Sequence, residues 1–281
     1  LWFCSKDEIE TSRRDGPSPQ RTPRAQSIKT AIKLDREPNK LAIRENNSWA
    51  YLRAADLQGR PGHADQLHLD LWWHGLNLTQ DAGTYLYNAD PPWDNALTHA
   101  AVHNTVTVEG RDQMTRAGRF LYVDKAQAHI VSEDQADDGS WMRLVAEHDG
   151  YRDLGITHRR SVTAQADDYW MVKDVVLSPK GQPKPISARL HWLLPDWPWE
   201  IVTSGTSQIE MKLESPHGWI LVSITAEPSK ANFQLVRAGE VIYGRGPTSP
   251  TWGWLSPTYA NKQPALSLSA TVSGKLPISF Q

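Results

Sequence analysis

From about residue 38 onward the chain is built from short segments rich in β-branched and aromatic residues, among them "WAYLRAA", "LHLDLWW", "HNTVTVEG", "RFLYVDKAQAHIV", "MRLVAEHDGY", "HRRSVTAQ", "YWMVKDVVLS", "SARLHWLLP" and "LSLSATVSG". Gly, Pro, Asn and Asp punctuate them, and no convincing helical period emerges. In "LHLDLWWH" the apolar set Leu67, Leu69, Leu71 and Trp73 alternates with His68, Asp70, Trp72 and His74. That alternation predicts a half-buried strand with its polar set solvated or lining a groove. One short helix is expected around "WDNALTHA", residues 93–100. So many strands in one chain predict an all-β fold, a large antiparallel β-sandwich over residues 38–281. Residues 1–37 are polar, basic and proline-bearing in "TSRRDGPSPQRTPRAQ", and are expected to form a loose arm or linker.

Composition narrows the function classes. A length of 281 residues with 39% hydrophobic residues supports a substantial core, and a net charge of -2 offers no attraction to nucleic acid or an anionic membrane. No apolar run approaches a membrane span, and "LWFCSKDEIE" lacks the basic start and apolar run of a signal peptide. The single Cys4 excludes an intrachain disulfide framework. Thirteen Trp and eight Tyr suit sugar stacking, although sandwich cores also use Trp.

The candidate chemistry is carried by histidines and acids inside these strand-like segments. His63 follows Pro61-Gly62, Asp81 precedes Ala82-Gly83, and His103 opens "HNTVTV". Two imidazoles and one carboxylate on different loops can make a three-ligand zinc site with an open fourth position, given an acceptor such as Asp65 or Asp70 behind each ring. Satisfied structural or surface histidines are the alternative. Asn104 is expected to orient its loop. Arg159 and Arg160 should point to opposite faces of a strand, one solvated and one salt-bridged. "HWLLPDWPWE" reads as a packed corner in preference to a sugar platform.

The run "GHADQLHLDLW…DAGTYLYN…PW…THAAVHNTVTVEGRDQM", with the later "AEHDGYRDLGITHRRSV" and "GWLSPTYANKQPALSLSATVSGKLPISF", is similar to the carboxy-terminal domain of the heparinase II/III-like polysaccharide lyases. The resemblance covers roughly residues 45–281. It implies a large β-sandwich that packs against an amino-terminal (α/α) toroid, absent from this chain. It also implies β-elimination of uronate-containing polysaccharides such as alginate or heparin and heparan sulfate, and zinc held by His63, Asp81 and His103. The ion would organise loops rather than activate water. Such enzymes need a base, an acid and a group that neutralises the uronate carboxylate. Tyr85, Tyr87 and His68 are the catalytic candidates here, and Trp93, Arg111 and Arg119 the substrate-binding ones. The main base is expected in the missing toroid, so the isolated chain is expected to be inactive. Where some family members carry a substrate-facing histidine this chain has Pro61, so either the catalytic histidine lies elsewhere or the chain is weaker in that role; His68, His74 and His99 could substitute. The resemblance also implies a periplasmic or secreted protein and an acidic polysaccharide partner. A noncatalytic carbohydrate-binding or structural sandwich is the rival, and a metal-dependent hydrolase using Asp65 as base a weaker third.

Overall fold

The computed structural model describes residues 2–3, 40–43, 48–165, 168–179, 181, 185–228 and 230–281. The expected arm over 1–37 lies outside them except for Trp2–Phe3, which pair antiparallel with the strand Tyr169–Leu177. The architecture is all-β, as the segment pattern predicts. A 9-stranded sheet includes the strands Trp141–Tyr151, Ile156–Gln165 and Tyr169–Leu177 as successive antiparallel neighbours. A 5-stranded sheet is built around Ile186–Leu194 and Leu266–Gly274. A 4-stranded sheet carries Ser48–Leu52 and Leu69–Trp73. Two small hairpins, Thr115–Gly118 with Leu121–Val123 and Trp254–Thr258 with Asn261–Pro264, complete the described strands.

The three larger sheets share one core. Leu69 and Leu71, Leu144 and Val162, and Leu190 and Leu268 come from different sheets and are buried in the same apolar cluster. Burying each such side chain contributes about 1.5–3 kcal/mol, so the sheets are held as one body. Among the described residues no helix is long and apolar enough to cross a membrane.

The helix expected at 93–100 is replaced by two 3-10 turns, Ala96–Thr98 and Ala100–Val102. His99 (φ -79°, ψ 145°) is extended between the two turns, so no continuous α-helix forms across the segment. The strand predicted over Leu67–His74 is shorter, Leu69–Trp73, because Leu67 (φ 58°) and His74 (φ 48°) adopt left-handed conformations at its ends. Strand alternation therefore does not reach His68, which is buried instead of lying on a polar face. Trp192 of the tryptophan-rich corner is fully buried, and Trp197 and Trp199 pack against the core.

Candidate metal centre

Three loops at one end of the 4- and 5-stranded sheets meet: residues 61–68, 80–85 and 98–105. The first is fixed by amides. Gln66 accepts the Ala55 N–H and donates to the carbonyls of Ala55 and Ala126, and its own backbone N–H donates to Gln113 Oε1 at 2.7 Å. Asn104 knits all three loops to the sheets. Its Nδ2 donates to the carbonyls of Leu69 and Gln80, its Oδ1 accepts the Leu193 N–H, and its backbone N–H donates to His68 Nδ1 at 3.0 Å. The role expected of Asn104 as a loop-orienting residue is therefore what the geometry gives. Behind it His191 Nδ1 donates to the His103 carbonyl at 2.8 Å. The loop at 80–85 is strapped down by the hairpin Trp254–Asn261. Ser256 N–H donates to the Ala82 carbonyl, and Tyr85 N–H donates to Ser256 Oγ. Gly83 (φ 74°) packs directly on the Ser256 carbonyl, leaving no room for a side chain.

These loops bring His63, Asp65, His68, Asp81 and His103 into one cluster. Two sets of three have ligand atoms within 4.8 Å of one another: His63, Asp65 and His103, and His68, Asp81 and His103. His103 is common to both. Its Nε2 lies 3.2 Å from His63 Nδ1, and its Nδ1 lies 3.7 Å from Asp81 Oδ2. His63 and Asp81, with His103 the trio predicted from the sequence, therefore flank opposite nitrogens of the His103 ring. One ion joining all three requires an imidazole to turn.

The electrostatics prepare such a site. Burial holds His103 neutral, with a pKa well below the ordinary imidazole range despite the Asp81 charge. Burial alone would raise Asp81, but His68 and the Gly83 N–H, which donates to Asp81 Oδ1 at 2.7 Å, help to outweigh it and keep this carboxyl ionised. Burial likewise works against a charged His68, yet Asp70, Asp81 and Asp65 draw its pKa upward. The Asn104 N–H occupies the lone pair at His68 Nδ1, so a neutral His68 carries its proton on Nε2. That proton points at Asp70 Oδ2 and Asp81 Oδ2, each 3.7 Å away and beyond hydrogen-bond reach, and makes His68 a poorer ligand than His103.

His103 Nδ1 and His68 Nε2 are buried without a hydrogen-bond partner. Orphaned buried nitrogens beside an ionised carboxylate are costly unless something fills the space. Neutral imidazole and carboxylate donors of this kind fit a zinc-type cation. Asp81 keeps 39% side-chain exposure, which leaves the cluster open on one side.

The other sequence candidates lie outside this cluster. Tyr85 packs edge-on against Trp93, with ring centroids 5.3 Å apart. Trp93 is half-buried and clasps Lys262 together with Trp254, the ammonium lying 3.5 and 3.7 Å from the two ring centroids. Tyr87 is 41% exposed and forms a surface trio with Phe120 and Tyr259. Arg111 is paired with Asp153 at 2.6 Å, the structural alternative to carboxylate capture. Arg119 is exposed beside Phe120. Of the two adjacent arginines, Arg159 pairs with Glu147 at the surface, whereas Arg160 is fully buried on Asp174. Sequence reasoning did not find Lys262, Gln66 or Arg160 as parts of the site. Their partners lie on other strands and loops, from 8 to more than 90 residues away, and no local pattern marks them.

A large antiparallel sandwich whose loops gather a buried histidine–aspartate cluster defines the class: an all-β protein with a candidate cation site on its loops. A family model described as heparinase II/III-like, C-terminal, matches residues 41–280, and the chain belongs to that family. A curated heparin-sulfate lyase from Bacteroides stercoris is 30% identical over 130 residues, 45% of this chain and 17% of the relative. Among solved structures, a heparinase III matches with TM-score 0.64 at 19% identity, over 89% of this chain and 35% of that one. The heparan sulfate lyase HepC from Pedobacter heparinus matches with TM-score 0.59 at 17% identity, over 84% of this chain and 33% of its own. The structural likeness is one of fold, and the chain spans about a third of the length of these solved relatives.

Proposed function

We propose that this chain is the sandwich part of a polysaccharide lyase that cleaves heparin- or heparan-like polymers by β-elimination. The observation that carries the reading is the family match across residues 41–280, together with a relative named for heparin-sulfate cleavage. Alginate is the less favoured substrate, since no relative named above acts on it. The parent protein would supply an amino-terminal helical domain to complete the cleft, and would act in the periplasm or outside the cell.

Zinc would be held by His63, Asp81 and His103, with Asp65 and His68 beside them. Bound there it supplies positive charge that fixes the three loops. The chain's own residues supply the rest. Asp81 and Thr84 lie on one loop, and Thr84 Oγ1 reaches His63 Nε2 at 3.4 Å, so the loop and His63 move together. Tyr85 and Tyr87 continue that loop and present its aromatic rim to substrate. His68, enclosed in the cluster, acts electrostatically to keep Asp81 ionised and does not touch the sugar. Trp93 and Lys262 brace the rim, and Arg119 offers an exposed guanidinium suited to a carboxylate or sulfate.

The test is incubation of the parent protein with heparan sulfate, heparin and alginate, followed by ultraviolet absorbance of the unsaturated uronate product. Product from a heparin-type polymer is expected, and absence of product from every polymer would remove the lyase reading. The exposed Tyr87, Phe120 and Tyr259 favour a second reading, noncatalytic sugar binding. It predicts retention on a heparin column without any product.

A further inference from the structure

We infer that His99 is a general base of this protein and that Asp112 positions it, an inference that rests on the lyase reading. The chain has ten histidines. His68, His103, His148, His158 and His191 are buried, so none reaches a polymer. His63 is engaged between His103 and Thr84. His74 and His217 pack on Trp73 and on each other. His129 lies 3.4 Å from Glu147 Oε1, a long contact, on a strand outside the loops of the cluster, while Arg159 holds Oε2 of the same carboxylate.

His99 differs from all of these. Its side chain is 38% exposed, and Nδ1 lies 2.5 Å from Asp112 Oδ2. The second Asp112 oxygen accepts the Ala100 N–H at 2.8 Å, so the carboxylate is fixed from both sides. A carboxylate only accepts, so the neutral ring carries its proton on Nδ1 and leaves the Nε2 lone pair free. Positive charge that develops on the ring then falls beside Asp112.

The placement is also apt. The Thr98 carbonyl accepts the Ala64 N–H at 2.9 Å, which sets His99 beside the His63 segment. His103 N–H donates to the Ala100 carbonyl, one tight turn further on. His99 therefore lies on the loop that carries His103, four residues before it, and belongs to neither cation trio.

In the step proposed, Nε2 takes the proton from the carbon next to the substrate carboxylate. The C–H electron pair becomes the new C=C bond, and the adjacent C–O bond breaks with its pair going to the leaving oxygen. That oxygen takes a proton from water, and the imidazolium returns its own proton to solvent.

The test uses the parent protein. His99→Gln keeps an N–H for Asp112 and so preserves the loop, but removes the base. Its kcat is expected to fall by about 100-fold or more, with KM and zinc content within about twofold of wild type. Asp112→Asn is expected to lower kcat by roughly 10-fold and to shift the ring proton off Nδ1, read by nitrogen-15 NMR of the histidines. A His99→Gln protein within about threefold of wild-type kcat overturns the inference. So does a wild-type spectrum with the neutral proton on Nε2, a readout that needs no variant to fold. A wild type that makes no unsaturated product overturns the lyase reading and the catalytic role together, while the Nδ1–H signature would still report the dyad.

Discussion

Arg160→Met tests how the sandwich holds its loops. Arg160 is fully buried and donates to both Asp174 oxygens, at 2.8 and 3.0 Å. Its Nη1 also donates to the carbonyls of Leu67 and Asn104, the residues that adjoin His68 and His103. The guanidinium stacks over Trp192 at 4.9 Å. Methionine fills similar volume but leaves Asp174 buried with His158 as its remaining partner, at 2.7 Å. Breaking a buried ion pair by removing one partner costs about 3–5 kcal/mol. Each stranded carbonyl adds roughly 1–3 kcal/mol unless water reaches it. Urea denaturation of the variant is expected to show a midpoint shift worth at least about 3 kcal/mol. Zinc affinity should fall with it, since both ligand-bearing loops lose an anchor. The double variant Arg160→Met/Asp174→Leu should recover much of the loss, because no unpaired charge stays inside. A single-variant cost below about 1 kcal/mol would refute the reasoning, showing that Asp174 is not dependent on Arg160.

Three further outcomes are expected. Gly83→Ala forces a methyl against the Ser256 carbonyl at a positive φ, so it should destabilise the protein by about 1–3 kcal/mol and weaken metal retention; unchanged thermal unfolding would count against it. His148 and His158 are held neutral by burial, with pKa values below the ordinary imidazole range. The unfolded chain binds protons they refuse, so their contribution is complete above about pH 6.5 and should be lost as pH falls below it, by up to about 1.4 kcal/mol per pH unit for each; urea midpoints at pH 7 and pH 5.5 read this, and a midpoint that rises on acidification contradicts it. Lys262→Met removes the ammonium between Trp93 and Trp254 and should cost roughly 0.5–2 kcal/mol, measured as a thermal shift that is absent if the cation contributes nothing.

The sheet was legible because period-2 alternation is a local signal. Leu69, Leu71 and Trp73 face the core as their spacing requires. The same rule failed at His68, where a left-handed Leu67 ends the alternation; no residue type there announces it. Arg159 and Arg160 split between surface and interior as alternation on Ile156–Gln165 demands. Which one was buried depended on Asp174, set directly opposite Arg160 on the neighbouring strand. At the site, His63, Asp81 and His103 came from a resemblance, and the fold places them in one cluster. Asp65 and His68 entered that cluster through loop packing. The Lys262 clasp and the His99–Asp112 pair arise from chain segments whose approach only the fold decides.

The most direct test of the central claim is the zinc content of purified, dialysed protein, measured by mass spectrometry beside a His103→Ala variant. The account predicts close to one zinc per chain in wild type and loss of that zinc in the variant, with the variant's far-ultraviolet circular dichroism still that of a β-sheet protein. Well-folded wild type that holds no metal after zinc is added back would contradict it, and the orphaned nitrogens of His68 and His103 would then need another partner.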